Sequence, residues 1–269
     1  MLKRLIGILA LALALCLSAG ARAELVGHWN MDDDAENTNV EDYSLKENDG
    51  TFNDAGGDPN TDAHHSADRK FGTGSLEFDG VDDFVKCDGG TSVTITQATG
   101  LTMAAWIKPD VVNISGWIIN DGSKYGLYQR NDEIAYSLGG TVGFDYTTGV
   151  DFVAGTWYHV AVTADASGVK LYVDGVLKKS DPGGNFTNSS PWWIGARCDG
   201  LQKFDGLLDD VGVWDHVLTD GGIGVGDTAT QGSELYNIIH NGIPPIPEPG
   251  TMLLAGFGVL VLLLSRRKR

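Results

Sequence analysis

Eleven short runs of β-branched and aromatic residues succeed one another down the middle of this chain, and helical periodicity is nearly absent between them. They fall at 25–31, 75–78, 84–87, 101–107, 116–119, 125–129, 134–138, 157–163, 169–173, 192–195 and 207–214. With 37 glycines to turn the chain between them, so many close-spaced strands predict an all-β fold, an antiparallel two-sheet jelly-roll sandwich. Alternation is clearest in Val169-Lys170-Leu171-Tyr172-Val173. Period 2 sends the two valines and the leucine to the core and Lys170 and Tyr172 to the other face. Asp174-Gly175 follows as a two-residue hairpin turn, because both residues tolerate positive φ. One helix is predicted, over 233–241, with Ser233 as N-cap and Gly242 as its stop.

Both ends of the chain read as addresses. Lys3 and Arg4, an apolar run over 5–17 and Ala21-Arg22-Ala23 form the three regions of a secretory signal peptide, residues 1–23. At the other end stand Pro247, Glu248 and Pro249 within 244–251, then an apolar run over 252–264 and the basic tail Arg266-Arg267-Lys268-Arg269. As a helix the run spans roughly 20 Å against a hydrocarbon core of about 30 Å, so 252–269 is expected to be a short transmembrane helix with a cytoplasmic basic end. This order of features resembles the PEP-CTERM sorting tail of Gram-negative bacteria. The resemblance implies export, transient inner-membrane anchoring through the tail, processing by an exosortase-type enzyme, and delivery to the cell envelope or extracellular matrix.

The formal net charge is −17, and the stretch between the two addresses is more acidic still. It holds 12 of the 19 lysines and arginines and all but one of the 36 acids, a net of −23. Such a surface repels phosphate backbones and excludes nucleic acid as a partner, while divalent cations become plausible ligands. Solubility alone is the competing account of the acidity. Cys87 and Cys198 remain after processing, and an oxidising compartment permits them to pair.

Leu76-Glu77-Phe78-Asp79-Gly80-Val81-Asp82-Asp83-Phe84-Val85, Trp157-Tyr158-His159-Val160-Ala161-Val162, Leu171-Tyr172-Val173-Asp174-Gly175 and Gly206-Leu207-Leu208-Asp209-Asp210-Val211 resemble the signature strands of laminin-G-like, concanavalin A-like jelly rolls. Leu25-Val26-Gly27-His28-Trp29, Asp42-Tyr43-Ser44 and Asn48-Asp49-Gly50-Thr51 look like that family's opening strand and loop, so the domain is expected over 24–243. Residues 220–232 depart from the family pattern and are expected to be an irregular loop. The resemblance implies a structural Ca²⁺ held by Asp32 or Asp33, Asp42, Asn48 and Asp209, where loops would supply the six to eight oxygens such an ion takes. The alternative is a solvated acidic loop at 32–34 and an Asp209 that caps a turn.

Adjacent His64 and His65 lie in a polar, turn-rich stretch without a nearby cysteine and read as a solvated pair. Trp106, Trp117, Trp157 and Trp214 read as core. Trp192 and Trp193 are neighbours on a strand and must face opposite sides, so one of them stands outward as a platform for a sugar ring or as cover for a sheet edge. Tyr125 and Tyr128 are candidate additions to that platform. The eight glutamates never fall at the alternate spacing that a jelly-roll glycoside hydrolase uses, and no nucleophile elbow, zinc helix or phosphate loop is present. The expectation is an exported, non-catalytic protein that recognises extracellular carbohydrate. The alternatives are a structural or adhesive matrix protein that binds protein partners or itself, and a polysaccharide hydrolase or lyase.

Overall fold

The computed structural model describes residues 24–32, 39–53, 65–90, 93–122, 125–138, 146–147, 149–182, 186–188 and 191–244. In chain order the strands are β1 (Leu25–Trp29), β2 (Asn39–Val40), β3 (Gly50–Asn53), β4 (His65–Ser66), β5 (Ser75–Asp79), β6 (Phe84–Cys87), β7 (Ile95–Thr96), β8 (Leu101–Pro109) and β9 (Ile114–Asp121). They continue with β10 (Tyr125–Asn131), β11 (Glu133–Leu138), β12 (Tyr146–Thr147), β13 (Tyr158–Asp165), β14 (Gly168–Val173), β15 (Val176–Asp181), β16 (Thr187–Asn188), β17 (Trp192–Ile194) and β18 (Asp205–Trp214). The helix α1 (Glu234–Asn241) follows, capped by Ser233, whose hydroxyl accepts from the Tyr236 amide.

Two eight-stranded antiparallel sheets result, and β7 and β16 pair with each other apart from them. Sheet A runs β15-β14-β13-β8-β18-β5-β4, and β1 joins it on β18; sheet B runs β12-β11-β10-β9-β17-β6-β3-β2. All eleven expected strands are found within a few residues. Between the sheets lie Trp29, Phe78, Met103, Ile107, Ile119, Leu127, Tyr136, Leu171, Trp192 and Phe204, each nearly or wholly excluded from solvent. Val169, Leu171 and Val173 face this core as alternation requires, and Asp174-Gly175 turns with φ of 49° and 75°.

The outer face of sheet A is roofed. Residues 215–243, the irregular loop followed by α1, fold back over it and bury Trp106, Ala161, Tyr172, Leu177 and Trp214 against Leu218, Leu235, Ile238 and Ile239. Tyr172 and Lys170 both donate to Asp220 Oδ2 at 2.8 Å, so the strand pins the loop that covers it. Trp106 and Trp214 are therefore buried, but beneath this roof, while Trp157 is only half-buried.

Strand β18 organises one rim. Its first half pairs with β5 and its second half with β1, and a bulge between Asp209 and Gly212 marks the change of partner. Asp210 there takes φ of 49°. Its carboxylate meets buried His28 Nε2 at 2.8 Å and accepts the Ile243 amide at 2.9 Å, which ties β1, β18 and the chain beyond α1 at one point.

Candidate functional site

On sheet B, Thr51, Lys86, Trp193, Asn120, Gly126 and Ser137 are successive cross-strand partners, so their side chains share the outer face. Trp193 is half-buried and stacks on Phe84 with centroids 5.1 Å apart; Lys86 Nζ lies 5.8 Å from its ring centre. Its neighbour Trp192 points the other way, 0 % exposed between the sheets. Of the expected platform pair, only Trp193 can meet a ligand, because successive strand residues alternate faces.

Tyr125 and Tyr128 are likewise separated. Their odd spacing sends Tyr125 toward the interior cluster and Tyr128 to the outer face, where it stacks on Trp117 at 4.8 Å and is buried. The two do not form one platform.

Between the two outer aromatic pairs runs the loop after β17. Buried Asn120 holds it: its Nδ2 donates to the Trp193 and Ala196 carbonyls, and its Oδ1 accepts the Cys198 amide. Gln202 fixes the far end, where its backbone carbonyl accepts the Trp117 amide and its Oε1 accepts from Trp117 Nε1 and Arg197 Nη1. Beside this loop opens a cleft of ≈ 330 Å³, walled by Val81, Ile114, Ser115, Leu201, Gln202 and Asp205.

The residues expected to hold Ca²⁺ do not form one set. Asp42 spends both oxygens on the fold: Oδ1 accepts the His28 and Ser44 amides, and Oδ2 accepts the Ser44 hydroxyl and the Asn48 amide. Asn48 donates to the Val26 carbonyl, and its own Oδ1 is buried without a partner. Asp33 lies outside the described residues, as does His64; His65 is exposed.

Asp32 and Asp209 meet around the loop that follows Arg69. Asp209 Oδ2 accepts the Lys70 and Phe71 amides, and Asp32 Oδ1 accepts the Thr73 and Gly74 amides. Asp209 is 0 % exposed, and its Oδ1 has no hydrogen-bond partner. Burial raises its pKa to about 7, helped by the neighbouring Asp210 and Asp32 carboxylates and opposed by the two amides. Asp209 Oδ1 thus keeps its lone pairs for a hard cation, whereas both oxygens of Asp42 are engaged, and Asp32 Oδ2 accepts from Asn30 Nδ2. The loop amides that orient both acids carry no side-chain signature, which is why the sequence did not mark them.

Cys87 and Cys198 are not joined in a disulfide, the pairing that an oxidising compartment permits. Cys87 faces the core opposite Trp192 and Gly50, and burial pushes its thiol pKa well up. Cys198 sits in the loop beyond β17, with its Sγ turned to the Gly122 carbonyl at 3.5 Å.

A family model described as the concanavalin A-like lectin/glucanases superfamily matches residues 79–224, more than half of the chain. The chain belongs to that superfamily. A PEP-CTERM protein-sorting motif matches residues 245–269 and marks this superfamily member as an exported protein sorted through the envelope of Gram-negative bacteria. Adhesion G-protein coupled receptor V1 of Danio rerio is 27 % identical over 197 residues, 65 % of this chain but 3 % of that protein. Carboxypeptidase S1 homolog A of Trichophyton rubrum is 29 % identical over 168 residues, 57 % of this chain and 24 % of its own length. The chain thus spans a small part of both relatives.

Domain 4 of AbnA, a GH43 extracellular arabinanase from Geobacillus stearothermophilus solved with arabinotriose, superposes with a TM-score of 0.52 at 20 % identity, covering 73 % of this chain and 95 % of that one. Trypanosoma rangeli sialidase gives 0.52 at 16 % identity, with 80 % and 32 % covered. The binding domain of botulinum neurotoxin serotype D/C gives 0.52 at 10 %, with 72 % and 49 % covered. At these identities the likeness is one of fold.

Proposed function

We propose that this exported superfamily member is a non-catalytic carbohydrate-binding protein of the envelope or extracellular matrix, and that its glycan lies on the outer face of sheet B. The observation that carries the reading is Trp193. It is the member of the tryptophan pair turned outward, held flat against Phe84 and flanked by Lys86. A rigid indole offers a sugar ring an apolar surface, and the Lys86 ammonium adds a hydrogen-bond donor beside it. The likeness to an arabinanase domain solved with arabinotriose, over nearly all of that domain, supports the same ligand class.

A non-catalytic role is supported by the row that crosses this face. From Thr51 to Ser137 it holds no carboxylate, whereas glycoside hydrolysis uses a pair of them, about 5 Å apart in retaining and about 6.5–9.5 Å in inverting enzymes. Self-association through sheet edges finds less support at β15. The Leu177 amide and carbonyl are already bonded to Asp227 and Gly226, and Lys178 and Lys179 charge the same strand.

The reading includes a structural calcium ion, which Asp32 and Asp209 would hold. Its contribution is charge neutralisation at the rim and added folding free energy, with no chemical step.

A glycan array tests the binding role. Saturable binding to at least one glycan is expected, and Trp193→Ala should weaken it about tenfold or more with little change in melting temperature. Binding that survives this substitution unchanged removes the site. Self-association with no glycan bound favours the adhesive alternative.

A further inference from the structure

The cleft beside the 195–204 loop is lined by one cation, Lys203, and by Asp205, behind which further acids gather. Asp79 on β5 and Asp205 on β18 are direct cross-strand partners, an arrangement that destabilises a sheet when both are charged. Asp110 stands next to them, with its amide on the Asp205 carbonyl at 2.9 Å. Partial burial raises the Asp205 pKa, and the charges of Asp110, Asp79 and Glu77 raise it further. Among the described residues no hydrogen-bond donor reaches the Asp205 carboxylate, and Lys203, on the same cleft, gives its ammonium to the Gly200 carbonyl at 2.7 Å. Local conflict that a fold retains marks functional sites more often than structural ones.

The cleft is also apolar at its lips. Val81 and Leu201 are 69 % and 56 % exposed, two of the most exposed large apolar side chains of the described residues, and they face one opening. A ligand that fits has C–H faces for Val81, Leu201 and Ile114, and one positive charge for Asp205.

A divalent metal fits less well. Of the three acids grouped at this turn, Asp79, Asp82 and Asp83, two are engaged by it: Asp79 Oδ1 accepts the Val81 and Asp82 amides and Asp83 Oδ2 accepts the Asp79 amide. Asp205 alone leaves most of the six to eight oxygens of calcium to water, whereas it suits an ammonium, which brings its own three donors. A domain of net charge −23 also attracts a polycation and repels a polyanionic matrix polymer.

From this geometry, and resting on the glycan-binding reading above, we infer that the cleft between Val81 and Leu201 takes the protonated amine of an amino sugar, with Asp205 as its counter-ion. The glycan recognised is then a cationic, amine-bearing polysaccharide.

The test is calorimetric titration of the full chain in mild detergent with a glucosamine hexasaccharide and with its N-acetylated counterpart, at low salt. The free-amine sugar should bind about tenfold tighter or better, and Asp205→Asn should reduce it to the level of the N-acetyl sugar while the melting temperature holds. Equal affinity for the two sugars, or an Asp205→Asn variant that still prefers the amine, overturns the inference. Should neither sugar bind while a neutral glycan binds in a Trp193-dependent way, the amine site is wrong and the wider reading stands. Should no glycan bind at all, both fall. Loss of measured calcium binding in Asp205→Asn would make the cleft a metal site and also refute the inference.

Discussion

The outer faces of the two sheets are built from the same alternating pattern and end in different states. On sheet A the chain returns after β18 and lays a loop and a helix over Trp106, Tyr172 and Trp214, which makes that face a second, smaller core. On sheet B the 195–204 loop crosses the middle of the face, and Trp193 is left half-buried at its side. Tryptophan therefore becomes packing at Trp106 and Trp214 on sheet A, and on sheet B it is packing at Trp117 and half-open surface at Trp193. What decides the outcome is where the chain goes next, not the strand itself.

The contrast breaks most forcibly at Leu235, which is fully buried between α1 and sheet A. Leu235→Ala should cost about 2–5 kcal/mol of unfolding free energy, read from urea denaturation, while glycan affinity on sheet B stays unchanged. A concurrent loss of glycan affinity in the folded variant would show that the faces are coupled and are not separate surfaces.

Acid should strike the roofed face next. His159 is buried on sheet A beside Trp106, and burial lowers its pKa from 6.5 to about 3, assisted by the facing charges of His240 on α1 and Lys70 on the loop. The folded protein keeps this imidazole neutral, whereas the unfolded chain takes up the proton below about 6.5. This group's contribution is complete above pH 6.5 and is lost as pH falls from there toward 3, on the order of a few kcal/mol. His159→Gln should flatten the fall in stability across that window, and an unchanged slope would place the acid sensitivity elsewhere.

Calcium should act at the rim where β18 changes partners. At a hundredfold excess over its Kd the ion adds about 2.7 kcal/mol, which for a domain of this size raises the melting temperature by roughly 5–10 °C. Asp209→Asn should abolish the rise. If Asp42→Asn abolishes it while Asp209→Asn does not, the ion sits in the β1 loop after all.

Much of this was readable in advance. Alternation in 169–173, the Asp174-Gly175 turn and the Ser233-capped helix all carry local periodic or capping signals, and the structure follows them. The two-residue strands β2, β4, β7, β12 and β16 carry none, since two residues have no period. Site residues were harder for a physical reason. A strand pattern shows that Trp192 and Trp193 face opposite ways but not which one faces the partner sheet. Asp42 and Asp209 look equally suited to a metal, and only the positions of backbone amides distinguish a saturated carboxylate from one with an oxygen to spare. Asp205 lies just ahead of the 207–214 strand pattern, beside a glycine, and its conflict with Asp79 exists only once the register of β5 and β18 is known.

The Ile243 amide is held by Asp210, and the sorting motif is matched from residue 245. Pro247 is four peptide units beyond that bond, so at most roughly 14 Å of chain can separate them. An enzyme that cut near Pro247 would therefore work within that distance of the His28–Asp210 pair. The shape of the domain at that corner would then be part of what the enzyme has to accommodate, so that export and folding share one piece of backbone.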